Sequence, residues 1–292
     1  MKLVRFGPCG DERPGVLDGA GAVRDASSVV RDWSDQSLSR QALEGISGLD
    51  VEKLPLVPGG TRLGCPVANV GKIVCVGLNY TDHAVETGFD LPSEPLVFFK
   101  SPTSLSGPFD PIVIPKTAHS VDWEVELAAV IGEVARSITP EDALRHIAGF
   151  AVANDITDRG WQFDRGGQWS KGKSADTFAP LGPWLVTPDE LPTSLDMRIW
   201  LRKNSQLRQD SRTSKLVFSA VHVVAHLSEF MTLMPGDVIL TGTPHGVAYN
   251  KANPDYLKAG DIVSCGIEGL GEQVCEVRSI AGASAPSPSS IQ

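Results

Sequence analysis

The sequence has no CxxC pair: its five cysteines, Cys9, Cys65, Cys75, Cys265 and Cys275, are odd in number and scattered. No Cys/His cluster has the spacing of a zinc site, and free thiols in a reducing cytoplasm are the simplest reading. No run of Lys and Arg breaks a net charge of −9, so a surface for nucleic-acid phosphates is not expected. That balance leaves room for a local basic pocket and an anionic substrate. No apolar stretch approaches the length of a membrane span, so no membrane partner is expected. The first residues, MKLVRFGPCGDERPG, are charged and interrupted by Gly and Pro, unlike a secretory signal. There is no internal repeat. What remains is a chain of 292 residues, 41% hydrophobic and 21% charged, which has the balance of a cytoplasmic globular protein with one large domain and a small one.

Residues 1–65 read as the small N-terminal domain. VRFG, PGVLDG and GAVRDAS are short strand-and-turn pieces, SDQSLSRQALEGI is a helix, and PLVPGGTRLGCPVANVGK is rich enough in Pro and Gly to mark a boundary. Residues 70–280 form the expected catalytic domain. IVCVGL, LVFFK, PIVIP, WEVELAAVIG, IAGFAVAND, DMRIWLRKN and DVILTGT carry continuous or period-two apolar patterns of strands. PEDALRHI and SKLVFSAVHVVAHLSEFM read as helices. Strands outnumber helices without alternating with them, so the fold class is α+β and β-rich, not doubly wound. The tail 281–292 is Pro/Ser-rich and expected to be disordered.

The strand Asp122–Ile131 places Glu124 and Glu126 on one face and Val125 and Leu127 on the other. Adjacent carboxylates repel, so either a hard cation sits between them or they mark an exposed sheet edge. The apolar segment Ile147–Asn154 delivers a third carboxylate, Asp155, at its end. Three carboxylates suit Mg²⁺ or Mn²⁺.

Other candidates keep two readings each. In Asn79-Tyr80-Thr81-Asp82-His83-Ala84-Val85-Glu86, a short helix would put His83 and Glu86 on one face, as a general-base dyad or as a solvated surface. Arg159 and Gln162 follow Asp155 by four and seven positions, so a helix would align all three. The guanidinium would then bind a substrate carboxylate or form a plain ion pair with a ligand carboxylate. Thr243, beside Gly242 at the end of DVILTGT, could donate to a carboxylate or sit in a simple turn. Gly167–Ser174 matches the phosphate-loop pattern formally, but no buried strand precedes it and two prolines follow, so that reading fails. His222 and His226 at i, i+4 lack the Glu of a metal-binding helix and read as packed structural residues.

NYTDHAVETG, DWEVELAAVIG, NDITDRGWQ, KGKSADTFAPLGPW and MPGDVILTGTPHGV, in that order over about residues 70–250, resemble the fumarylacetoacetate hydrolase superfamily. They are most similar to its bacterial acylpyruvase and 2,4-diketo-3-deoxy sugar acid hydrolase branch. The resemblance implies a mixed β-sandwich roll, commonly a homodimer, with Mg²⁺ or Mn²⁺ held by Glu124, Glu126 and Asp155. It implies a lid carrying a His83–Glu86 dyad that activates water. Arg159, Gln162 and Thr243 would meet the substrate, and Lys173, with Lys171 as the neighbouring alternative, would stabilise an enolate. The implied reaction is hydrolysis of a carbon–carbon bond in a 2,4-diketo acid, either an acylpyruvate or a sugar acid such as L-2,4-diketo-3-deoxyrhamnonate. Arg165 and Gln168, in FDRGGQW, would suit a hydroxylated or charged distal arm, and so a sugar-acid substrate, or are plain exposed loop residues. The alternatives are a 2-oxo acid decarboxylase or tautomerase of the oxaloacetate type, and a non-catalytic binding protein of the same fold.

Overall fold

The computed structural model describes residues 1–82, 91–249 and 251–280. In chain order the strands are β1 Lys2–Phe6, β2 Arg13–Leu17, β3 Val23–Asp25, β4 Ile73–Gly77, β5 Leu96–Lys100, β6 Leu105–Ser106, β7 Ile112–Ile114, β8 Val121–Asp122 and β9 Val125–Ile131. They continue as β10 Ile147–Asn154, β11 Thr157–Asp158, β12 Ala179–Pro180, β13 Leu185–Val186, β14 Arg198–Lys203, β15 Gln206–Arg212, β16 Val238–Leu240, β17 Ile262–Ile267 and β18 Gly271–Ser279. The described α-helices are α1 Arg40–Ser47, α2 Pro140–Ala143, α3 Ser170–Lys173 and α4 Ala220–Phe230.

Nine strands form one mixed sheet in the order β3-β2-β1-β13-β10-β9-β16-β4-β5, and five form a second in the order β15-β14-β17-β18-β7. The central strands are apolar on both faces because both are covered. On β9, Val125, Leu127, Ala129 and Ile131 join Ile199, Leu201 and Val223 in a core shared with the second sheet and α4. Ala128 and Val130 point the other way, into a core with Leu3, Trp33 and Leu43. Period two therefore selects between two cores and not between core and solvent.

The structure corrects several expectations. Residues 1–65 are not a separate body: β1 pairs with β13, Leu3 opposite Leu185, and so extends the catalytic sheet. The strand expected over Asp122–Ile131 is broken, and Trp123 and Glu124 lie between β8 and β9. The long helix expected from Ser214 begins only at Ala220, where the Ser219 side chain accepts from the His222 amide and caps it. The tail 281–292 lies outside the described residues. Among the described residues no helix is long and apolar enough to cross a membrane.

Candidate active site

The break between β8 and β9 turns Glu124 toward Glu126, and the end of β10 supplies Asp155. One oxygen of each lies within 4.8 Å of the others, and all three residues are buried. The Asp155 amide donates to the Glu124 carbonyl at 2.8 Å, and the Glu124 amide donates to Asn154 Oδ1 at 3.0 Å. Adjacent strands thus fix two of the carboxylates against each other.

Cations frame this cluster unevenly. Lys173 Nζ donates to Glu124 Oε2 and Asp155 Oδ2, each at 2.6 Å. Arg159 lies 2.6 Å from Glu124 Oε1 and 2.9 Å from Asp122 Oδ2. Lys100 Nζ donates to Asp155 Oδ1 at 2.6 Å and to the Ile156 carbonyl at 3.1 Å. Glu124 and Asp155 each have two cations, whereas among the described residues Glu126 has none in ion-pair contact. Among the described residues Glu126 accepts a hydrogen bond from the Gly242 amide alone, at 2.7 Å.

The electrostatics follow this pattern. Burial raises the Glu124 carboxyl, but Lys173 and Arg159 outweigh that and hold it below the usual carboxylate range. Burial, with Asp155 and then Glu124 nearby, drives the Glu126 carboxyl well above it. Converging buried carboxylate oxygens, one of them on a Glu126 that no cation contacts among the described residues, are what a hard divalent cation satisfies, and the described cluster contains no soft ligand to select another metal. The residues therefore fit Mg²⁺ or Mn²⁺.

One loop closes the site. Thr241 Oγ1 donates to the Leu127 carbonyl, the Gly242 amide to Glu126, and Thr243 Oγ1 to the Val125 carbonyl, at 2.9, 2.7 and 2.9 Å. The loop thereby runs along β9 residue by residue. Gly242 has φ +101°, and a Cβ there would lie 2.9 Å from Asn79 Cβ, so only glycine brings that amide to Glu126. Thr243 lines the cavity, but its hydroxyl proton is committed to Val125 and it accepts from Gln209 Nε2 at 2.9 Å. Donation to a substrate carboxylate is therefore closed to it in this conformation.

The helical alignment of Asp155, Arg159 and Gln162 is not found. The chain runs through β11 into a π-type turn, Gly160–Asp164. Arg159 still meets Gln162, donating to its Oε1 at 3.1 Å, and pairs with Asp122 and Glu124. Lys173, not Lys171, is the buried lysine; Lys171 points outward to the Arg165 carbonyl. His222 and His226 are not packed inside: His222 is exposed and stacks on Phe218, and His226 meets Phe230 edge-on. Arg165 and Gln168 are exposed and line no part of the site cavity. His83 and Glu86 lie outside the described residues.

Three participants escaped the sequence reading. Lys100 ends β5 and reads only as the polar end of a strand. Asp122 is buried and accepts from the Ala248 and Tyr249 amides at 2.8 and 2.9 Å. Gln209, on β15, accepts the Val125 amide at 3.0 Å. Asp122 alone had a signal, as a carboxylate beside the Glu124–Glu126 pair.

A cavity of about 380 Å³ opens over the carboxylates. Comparison with known proteins places this arrangement. A relative from Burkholderia cenocepacia, named no more specifically than as a hydrolase, is 49% identical over 95% of this chain and 99% of its own length. The solved maleylpyruvate hydrolase from Sphingobium sp. SYK-6, in complex with manganese(II) ion and pyruvate, has TM-score 0.79 and 30% identity, covering 96% of this chain and 99% of that one. The 5-carboxymethyl-2-hydroxymuconate delta-isomerase from Mycobacterium smegmatis has TM-score 0.75 and 32% identity, covering 96% and 100%. The family model for the fumarylacetoacetate (FAA) hydrolase C-terminal region matches residues 72–278, which span every site residue described above, and the chain belongs to that family.

Proposed function

We propose that this protein is a divalent-metal-dependent hydrolase that cleaves a carbon–carbon bond of a 2,4-diketo acid, releasing pyruvate and a second carboxylic acid. The observation that carries this reading is the buried Glu124–Glu126–Asp155 cluster, which presents Glu124 and Glu126 to an open cavity, leaves Glu126 without a cationic partner among the described residues, and is flanked by Arg159 and Lys173. Support comes from the maleylpyruvate hydrolase solved with manganese and pyruvate.

A metal held by the three carboxylates would supply Lewis acidity toward the keto acid end of the substrate. Arg159 and Gln162 would hold the substrate carboxylate. His83, oriented by Glu86, would take a proton from water as its oxygen adds to the C4 carbonyl. The C3–C4 bond then breaks, its electron pair forms the pyruvate enolate, and the Lys173 ammonium stabilises that charge until C3 is protonated.

The test is pyruvate release from a panel of acylpyruvates and 2,4-diketo-3-deoxy sugar acids with Mg²⁺ or Mn²⁺. The expected result is release that EDTA abolishes and that Glu86→Ala abolishes without loss of metal binding. A second reading, tautomerisation or decarboxylation of a 2-oxo diacid, uses the same cluster without water attack, and the isomerase relative supports it. Turnover of oxaloacetate without pyruvate release from any diketo acid would select it.

A further inference from the structure

The cavity changes character away from its acidic floor. Its outer lining is Phe98, Phe163, Trp169, Tyr249, Leu78 and Val247. The rings form a continuous wall: Phe163 stacks on Tyr249 with centroids 5.0 Å apart, meets Trp169 edge-on at 5.9 Å, and Trp169 meets Phe98 at 5.4 Å. Gly77 makes room for this wall, since a Cβ there would lie 2.6 Å from the Trp169 ring. The wall also begins where the charges end. Tyr249 lies 5.5 Å from the Arg159 guanidinium carbon, and the Phe98 centroid lies 4.9 Å from Lys173 Nζ.

Among the described residues the cations lining the cavity are Arg159 and Lys173, both paired with the floor carboxylates. Among the described residues a carboxylate at the far end of a substrate would find no unpaired cation, and a row of hydroxyls would lose water against mostly aromatic carbon, with only the Tyr249 hydroxyl and the Trp169 indole N–H of the wall to replace it. A flat apolar group would instead gain stacking and burial.

Resting on the diketo acid reading above, we infer that Phe163, Trp169 and Tyr249 are specificity-determining residues that select an acylpyruvate with a flat, uncharged, apolar distal arm. A polyhydroxylated or carboxylated arm is disfavoured by the same wall.

The experiment compares benzoylpyruvate, acetylpyruvate and a 2,4-diketo-3-deoxy sugar acid on the Mg²⁺-loaded full chain, by calorimetric binding and by kcat/KM. The expected preference for benzoylpyruvate over the sugar acid is at least about tenfold in both measurements. Phe163→Ala and Tyr249→Leu should each lower the benzoyl-to-acetyl ratio about tenfold. Phe163 is 37% exposed, so its truncation leaves the fold intact. Tighter binding of the sugar acid, or a ratio unmoved by both variants, overturns the inference. Preferential binding of benzoylpyruvate without cleavage of any diketo acid keeps the aromatic subsite and rejects the hydrolase reading; cleavage with the reverse preference does the opposite.

Discussion

Lys100 shows what a single side chain does here. It is completely buried, as is Asp155, and it holds Asp155 Oδ1 while Oδ2 faces Lys173 and the carboxylate cluster. It therefore fixes which Asp155 oxygen a metal meets. Groups that orient a metal ligand in this way are worth roughly 10–100-fold in metal affinity. Lys100→Met should weaken Mg²⁺ or Mn²⁺ binding by about that factor in a calorimetric titration, while Lys173 still satisfies the other oxygen. Unchanged affinity would reduce Lys100 to a structural counter-ion. The three carboxylates were legible in the sequence because charges inside apolar strands demand a reason. Lys100 was not, because its reason is a residue 55 positions away, and a lone lysine at a strand end looks like any solvated one.

At the scale of elements, the loop from Thr241 to Tyr249 sets the site's geometry. It hydrogen-bonds along β9, supplies the Gly242 amide to Glu126, and places two amides on Asp122. Gly246 is its tightest point: with φ +100°, a Cβ there would lie 2.0 Å from the Arg208 carbonyl oxygen. No side chain can yield at a backbone contact, so Gly246→Ala must displace either the loop or β15. Left-handed strain alone costs about 1–3 kcal/mol, and the clash adds to it. Chemical denaturation should show a loss of about 3 kcal/mol or more. A loss under about 1 kcal/mol would mean that the loop shifts freely and does not rigidly hold the site.

The same scale shows where periodicity ran out. Strand identity was readable from apolar runs, but the break at Trp123–Glu124 was not. Its cause is tertiary: Asp122 turns back to Arg159 and to the amides of residues 248 and 249. Spacing likewise put Asp155, Arg159 and Gln162 on a helix that does not exist. Arg159 reached the cluster anyway, because the β8–β11 pairing sets Thr157 opposite Asp122.

Across the whole molecule, the N-terminal strands and the catalytic sheet are one structure, and a Pro/Gly-rich stretch near residue 60 was a poor guide because it crosses a continuous sheet and does not link two bodies. Arg62, within that stretch, makes the connection explicit. It donates to both oxygens of Asp110 at 2.8 and 2.6 Å and to Glu12 Oε1 at 2.8 Å. For Asp110 and Glu12 alike, burial raises the carboxyl, but hydrogen bonding to Arg62 and other favourable contacts outweigh it, leaving both below their ordinary values of 3.8 and 4.5. Depressed values in the folded state mean that the unfolded chain binds protons first as pH falls. The clamp's stabilisation is thus complete above about pH 5 and disappears as pH drops through the depressed folded values. Arg62→Met should cost about 1–2 kcal/mol at pH 7, discounted for partial exposure. The difference between wild type and variant should shrink steadily below pH 4 in urea titrations with matched metal. A difference independent of pH would assign Arg62 a packing role instead of an electrostatic one, and a difference that grew on acidification would contradict the direction of both shifts.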